Sequence, residues 1–143
     1  MKKLKFVVPG PPVGFKSTTK RSKYNKAYQS YVEYKKTVQL YAKVSGLRLP
    51  LKATKDSQLM IRTVAYFKNG THPDPENVNK GVRDALFYRQ KDQRSSRSTG
   101  KGDDKHTGGS FPPPRYSDAP RVIVIIKDYV QRKAKKKSKD GKV

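Results

Sequence analysis

Three stretches of the chain have the apolar pattern of β-strands. Residues 4–8 and 58–68 alternate between apolar and more polar side chains, which is typical of strands with one buried face. The first stretch ends at a run rich in proline and glycine, and the second ends at Asn69-Gly70, a strong turn signal. Residues 121–126 form a nearly continuous β-branched run, which predicts a central strand covered on both faces.

Two other stretches have apolar residues at helical spacing. The first covers residues 24–44 and ends at Ser45-Gly46, where glycine gives a stop signal. Its tyrosines could stack on bases, but a tyrosine stripe at helical spacing more often packs against a sheet. The second covers residues 75–88, with Asp74 suited to the N-cap and Pro75 to the first helical position. The predicted buried stripes are Ala27, Tyr31, Tyr34, Val38 and Tyr41 in the first helix, and Val78, Val82, Ala85 and Leu86 in the second.

The remaining long segments are polar. Residues 88–110 contain mainly Ser, Arg, Gly, Lys and Gln, which predicts a flexible loop. Residues 131–143 are rich in lysine and predict a disordered basic tail that adds nonspecific affinity for phosphate. We therefore expect one α+β domain over residues 1–130, in which a small mixed β-sheet packs against two helices.

Charge is the strongest compositional signal. The chain has 143 residues and carries 34 Lys and Arg against 11 Asp and Glu, a net charge of +23. A polyanion would relieve the self-repulsion, and nucleic acid is the expected partner because each neutralised phosphate releases counterions. An anionic membrane surface fits less well, because the basic stretches lack the large apolar face of an interfacial helix. Only 33% of residues are apolar, so either part of the chain is disordered or a partner subunit supplies further burial.

Residue types and runs that the chain lacks exclude several classes of protein. It contains no cysteine, which excludes disulfides and thiolate metal sites and fits a reducing compartment. No apolar run approaches about 18 residues, so we expect no membrane span. The apolar stretch after Met1-Lys2-Lys3 is too short for a signal peptide, and we therefore expect a cytoplasmic protein.

The candidate chemistry lies in residues 72–86, where carboxylates are concentrated within a basic chain. Asp74 and Glu76 stand two positions apart, and Pro75 between them favours an extended backbone that could project both side chains to one side. Two carboxylates suit Mg²⁺, which completes its shell with waters and substrate phosphates and can activate a water. Lys80 could neutralise the charge that develops on a phosphate.

The same residues allow a purely structural interpretation. Asp74 could cap the helix, and Glu76 could interact favourably with the helix dipole. Lys80 could form ordinary ion pairs with the acids one turn away on either side. The remaining candidates, for which a solvated surface position is the simpler interpretation, are Asp103, Asp104, His72 and His106.

The chain resembles the RusA Holliday junction resolvases in the stretch Asp74-Pro75-Glu76-Asn77-Val78-Asn79-Lys80, followed by Asp84-Ala85-Leu86. The family motif is Asp-x-Asp-Asn-hydrophobic-x-Lys, then Asp-Ala-Leu, then a downstream Asp-Asp. The family's opening turn and its final strand are similar to Pro9-Gly10-Pro11-Pro12 and to Pro120-Arg121-Val122-Ile123-Val124. The resemblance covers roughly residues 4–127, with Glu76 at a position where the family usually has Asp.

The resemblance implies a homodimeric, Mg²⁺-dependent endonuclease that cuts paired strands at four-way DNA junctions. Mn²⁺ could substitute for Mg²⁺, and no small-molecule cofactor is implied. Because the family is frequent in phages and prophages, the compartment would be a host cytoplasm if a phage encodes the chain. Asp74 and Glu76 would be metal-binding catalytic acids, and Lys80 would be the catalytic lysine. The loop would contribute Asp104 as the third catalytic acid and metal ligand, Asp103 as its metal-binding neighbour, and Asp92 as the alternative.

Binding to nucleic acid is expected from the basic loop at residues 16–23 and from cations around the acids. Two other functions fit the same residues. One is a noncatalytic nucleic-acid-binding protein, and the other is a metal nuclease that acts on other branched DNA or on RNA. The expected nucleic-acid contacts are Lys16, Lys20, Arg21, Lys80, Arg83, Lys101 and Lys105.

Overall fold

The structure is a computed structural model that describes residues 3–16, 25–87 and 107–129. It confirms the predicted mixed α+β fold, with two helices and a five-stranded mixed sheet. Neither helix in these ranges combines the length and the apolar character that a membrane span requires. The elements are β1 (Lys3–Pro9), α1 (Lys26–Val44), β2 (Gln58–Phe67), α2 (Pro75–Phe87), β3 (Thr107–Ser110), β4 (Arg115–Tyr116) and β5 (Arg121–Tyr129).

The sheet has the strand order β1-β5-β2-β3, and β4 pairs with the last residues of β2. β5 is antiparallel to both β1 and β2, which confirms its predicted central position. The prediction that β5 is covered on both faces is wrong within the described chain. Val122, Val124 and Ile126 are fully buried, whereas Ile123 and Ile125 on the opposite face are only partly buried. The difference arises because both helices pack on one face of the sheet.

α1 begins at an N-cap that the apolar pattern did not locate. The side-chain Oδ1 of Asn25 accepts a hydrogen bond of 2.7 Å from the backbone N–H of Ala27, which satisfies one free donor of the first turn. Tyr31 and Tyr34 are buried, which confirms that these tyrosines pack in the interior. Ala27 is exposed instead of buried, and Ala42 completes the stripe at the other end of the helix.

α2 follows β2 and packs against both β2 and α1. All the residues of its predicted apolar stripe are fully buried, as the helical periodicity indicated. Asn79 and Gly81 are buried with them, which the pattern of apolar residues did not predict. The buried stripe therefore fixes which side of α2 faces outward, and that side includes Glu76 and Lys80.

β3 lies inside the segment that was predicted to be a flexible loop over residues 88–110. Its sequence, Thr-Gly-Gly-Ser, has no apolar strand pattern, yet it pairs in parallel with residues 59–62 of β2. A Cβ atom at Gly109 would collide with Asn79 Oδ1 and approach the Arg83 side chain, so glycine lets β3 lie close under α2. The loop prediction is wrong for residues 107–110. The rest of the predicted loop and the predicted tail lie outside the described residues.

Candidate functional site

The connection from β2 to α2 is held by His72, immediately before the candidate acids. The imidazole stacks on the ring of Phe67, with centroids 3.8 Å apart and an interplanar angle of 9°. Its Nδ1 lies 2.8 Å from the carbonyl oxygen of Pro73, to which it donates, and its Nε2 lies 2.9 Å from the Tyr116 hydroxyl. His72 is thus a partly buried structural residue that fixes the approach to Asp74, not the solvated surface histidine that was expected.

Asp74 and Glu76 lie at the beginning of α2, and both are exposed. The carbonyl oxygen of Asp74 accepts the first helical hydrogen bond, from the N–H of Val78 at 3.1 Å, and Glu76 lies in the first turn. Within the described ranges, neither carboxylate makes a side-chain hydrogen bond or an ion pair. The two side chains are therefore available to a ligand from solution.

Lys80 does not form the ion pairs that the structural interpretation proposed. Its ammonium lies 4.4 Å from the centroid of the Phe15 ring. The carboxylate of Asp84 instead accepts hydrogen bonds from the Tyr31 hydroxyl at 2.8 Å and from Lys35 Nζ at 3.0 Å. Asp84 consequently joins α2 to α1, while Lys80 faces outward with an exposed side chain.

Asn79 is a fully buried polar residue at the centre of the fold. Its amide nitrogen lies within hydrogen-bond distance of Ile61 O at 3.1 Å, Thr63 Oγ1 at 3.0 Å and Ser110 O at 3.2 Å. Its Oδ1 accepts a hydrogen bond from Arg83 Nε at 2.9 Å. Arg83 is a predicted nucleic-acid contact, and one of its N–H donors is therefore already bonded within the protein. These bonds attach α2 to both β2 and β3. Asn79 stands at a position that the family motif leaves unspecified, and only the tertiary structure identifies its role.

The buried tyrosines have strongly perturbed acidities. Burial raises the pKa of Tyr31, and the adjacent negative charge of Asp84 raises this pKa further, because the hydroxyl donates to that carboxylate. Burial alone raises the pKa of Tyr34, whose hydroxyl has no hydrogen-bond partner in the described part of the chain. Both hydroxyls therefore stay protonated in the folded protein at a pH at which an exposed tyrosine ionises.

Alkaline pH is expected to destabilise the fold through these two hydroxyls. Their stabilising contribution is complete below the unfolded pKa of about 10 and is lost as the pH rises from there towards the raised folded pKa. Each group contributes a slope of up to about 1.4 kcal/mol per pH unit. The free energy of unfolding in urea, measured for the wild type and for Tyr31→Phe at pH values below and above about 10, tests the effect. The free energy of unfolding of Tyr31→Phe should decline less steeply with pH than that of the wild type. Tyr129→Phe is the control and should follow the wild type, because Tyr129 is exposed. If Tyr31→Phe declined in parallel with the wild type, the assignment to Tyr31 would be contradicted.

The predicted third acid is not part of the described structure. Asp92, Asp103 and Asp104 lie in the gap between α2 and β3, as do Lys101, Lys105 and His106, while Lys20 and Arg21 lie in the gap before α1. β3 begins at Thr107, which pairs with Leu59 near the start of β2. Asp74 follows the other end of β2, so the first described residue after the gap and Asp74 lie beside opposite ends of this strand. The described residues contain no group of three potential metal ligands. They do provide the carboxylate pair, and one or two protein carboxylates are the usual number at a Mg²⁺ site.

Sequence reasoning located the acids but missed the aromatic residue that contacts Lys80. Phe15 lies between a Pro- and Gly-rich run and a basic loop, and no apolar periodicity includes it. A single large aromatic residue in so polar a segment is a signal that could have found it, because such a side chain usually packs against something. Lys16, a predicted phosphate contact, follows Phe15 directly and is exposed.

Comparison with known proteins does not identify the chain. No family model matches it, and no curated protein matches it significantly.

Proposed function

We propose that this protein is a Mg²⁺-dependent endonuclease of the RusA type that selectively cuts four-way DNA junctions. The observation that carries the proposal is the pair of exposed carboxylates, Asp74 and Glu76, at the beginning of α2. Asp56 and Asp118 are also exposed and without an ion pair among the described residues, so what distinguishes Asp74 and Glu76 is their position two residues apart at the start of one helix. A hard divalent cation is the ligand that suits two carboxylates.

Carboxylate oxygens are the donors that Mg²⁺ prefers. Asp74 and Glu76 would hold the metal, and the proposal adds Asp104, with Asp103 beside it, as further ligands. When bound, Mg²⁺ supplies an activated water and charge stabilisation at the phosphodiester. The ammonium of Lys80, one helical turn after Glu76 and over the Phe15 ring, would stabilise negative charge on a phosphate that reaches this surface.

The basic surface of the chain supports DNA as the substrate. Lys80 contacts the Phe15 ring and Lys16 follows Phe15 in the chain, and both lysines are exposed. The predicted contacts Lys20, Arg21, Lys101 and Lys105 belong to the same proposal. Phosphate contacts of this kind give affinity without base specificity, which suits recognition of the shape of a junction.

A homodimer is part of the proposal, because resolution of a junction requires two cuts. The face of the sheet that the helices leave uncovered, which also carries Lys5, Arg62 and Lys127, is the surface that such a dimer would bury. Val7, on β1, is exposed, and Ile123, Ile125 and Met60 on this face are only partly buried. Burial of this face against a second copy would add to the small core of a chain with 33% apolar residues. The molecular mass in sedimentation equilibrium tests this part, and a monomer at the concentrations of the cleavage assay would exclude it.

The principal alternative is a noncatalytic nucleic-acid-binding protein. It is favoured by the observation that no group of three metal-ligand side chains occurs among the described residues. This alternative predicts tight, salt-sensitive binding to nucleic acid without cleavage. A third possibility, a metal nuclease specific for flaps or structured RNA, uses the same carboxylates on another substrate.

One cleavage experiment separates these functions. A synthetic four-way junction, a flap, a linear duplex and a structured RNA are incubated with the protein in Mg²⁺, in Mn²⁺ and in EDTA. The expected result is metal-dependent cleavage of the junction with weak cleavage of the linear duplex. Equal cleavage of every duplex, or no cleavage in either metal, would exclude the proposal, and preferred cleavage of the flap or RNA would favour the other nuclease.

A further inference from the structure

We infer that Phe15 is a positioning residue that holds the ammonium of Lys80 available for a substrate phosphate. This inference rests on the proposed function, because it assigns Phe15 a role in the same site. The ammonium lies 4.4 Å from the centroid of the Phe15 ring, well within the range of a cation–π interaction. The contact crosses from the loop after β1 to α2, so it is not a local consequence of helix geometry.

The ring is held in place by contacts with both helices. The backbone N–H of Phe15 donates to the carbonyl oxygen of Asn77 in the first turns of α2, at 3.0 Å. The ring meets the ring of Tyr31 edge to face, with centroids 5.5 Å apart and an interplanar angle of 73°. Tyr31 is itself fixed by its hydrogen bond to Asp84. Phe15 therefore has a defined orientation relative to α2, as a positioning residue requires.

Two glycines allow this close approach. A Cβ atom at Gly81, the residue after Lys80, would lie 3.1 Å from Tyr31 Cε1 and 3.5 Å from the backbone nitrogen of Phe15. A Cβ atom at Gly14 would lie 2.9 Å from the Cβ of Pro73. Gly14 therefore lets the loop lie against the start of α2, and Gly81 leaves room for the Tyr31 ring that packs on Phe15.

The consequence for Lys80 follows from its neighbours along α2. Glu76 precedes it by one turn and Asp84 follows it by one turn, so a freely rotating lysine could pair with either carboxylate. In the structure, the Asp84 carboxylate accepts hydrogen bonds from Tyr31 and Lys35 of α1. The Lys80 ammonium contacts the Phe15 ring and does not pair with Glu76. A cation over a ring face keeps N–H groups free for a phosphate. The arrangement pre-organises Lys80 without neutralising it.

A double-mutant cycle on junction cleavage tests the inference in the full chain. Phe15→Leu should lower the single-turnover rate about two- to fivefold, the effect expected of an exposed cation–π contact, and Phe15→Tyr should retain the rate. In a Lys80→Met background, Phe15→Leu should have no further effect. Tyr41→Leu, which also replaces a partly buried aromatic residue with leucine but lies near the opposite end of α1 from Tyr31, is the matched control. Equal losses in both backgrounds, or a wild-type rate in Phe15→Leu, would overturn the inference.

A readout without cleavage keeps the inference separate from the proposed function. The ring current of Phe15 should shift the NMR signals of the Lys80 ε-methylene protons, and Phe15→Leu should remove that shift while Phe15→Tyr retains it. Phe15→Met serves as a second variant if Phe15→Leu does not fold. If the wild type cuts no substrate, the proposed function fails while the NMR result still decides the contact. Unchanged Lys80 signals in a folded variant without the ring would overturn it.

Discussion

Replacement of Asp74 by asparagine is expected to reduce junction cleavage at least about a hundredfold, since a bound metal contributes several kcal/mol to the transition state. Binding of the junction should be retained, because the substitution removes a negative charge from the surface that meets a polyanion. The fold should also be retained, because the Asp74 side chain is exposed and makes no hydrogen bond or ion pair in the described part of the chain. The substitution therefore tests a metal-binding role without a change in helix packing.

The measurement is the single-turnover cleavage rate in Mg²⁺ at saturating protein, together with binding of the junction in EDTA and the midpoint of thermal unfolding. Asp56→Asn is the matched control, because Asp56 is an exposed acid in the turn before β2 and should leave the rate unchanged. If Asp74 were only a solvated residue at the start of α2, Asp74→Asn would cut as fast as the wild type. That outcome would exclude Asp74 as a metal ligand.

Replacement of Asn79 by alanine is expected to lower the free energy of unfolding by about 2–4 kcal/mol, since it removes several hydrogen bonds and leaves buried acceptors unsatisfied. The acceptors concerned are Ile61 O and Ser110 O, and Arg83 Nε also loses its partner. Thr63 lies beside them and is almost fully buried, so solvent does not readily replace the amide. β3 has little apolar surface of its own and should lose its attachment to α2.

Urea denaturation of Asn79→Ala and of Asn77→Ala measures the difference. Asn77 is the matched control, because it is an exposed asparagine of the same helix and its Cβ, which packs near Gly14, remains in alanine. Asn77→Ala should change the free energy of unfolding by no more than about 0.5 kcal/mol. If Asn79→Ala were equally mild, Asn79 would not be the residue that attaches α2 to β2 and β3.

The regular elements illustrate what apolar patterning determines. Alternation in β1 and β2 and the helical spacing of Val78, Val82 and Leu86 each predicted an element that the structure contains. These predictions succeeded because burial of one face of a helix or strand leaves a periodic trace in the sequence. Asn25 was missed as the N-cap, since capping depends on a single hydrogen bond and leaves no period.

β3 and β5 show where patterning fails. Thr-Gly-Gly-Ser contains no strand signal, and it forms β3 because β2 offers free backbone groups and α2 leaves room only for glycine above it. The run of β-branched residues in β5 correctly placed the strand at the centre of the sheet, but it could not tell which faces the helices cover. Both outcomes depend on segments distant in sequence, and local propensity does not encode them.

For the candidate site, the sequence by itself placed Asp74, Glu76 and Lys80 at the start of a helix and fixed their spacing. It left open whether these charges pair with one another, because i,i+4 spacing permits an ion pair without requiring one. Only the tertiary structure decided this point, since α1 brings Tyr31 and Lys35 to Asp84 and the loop after β1 brings Phe15 to Lys80. The partner of a side chain is chosen by whatever the fold brings within a few ångströms, and sequence spacing reports only the neighbours along the same helix.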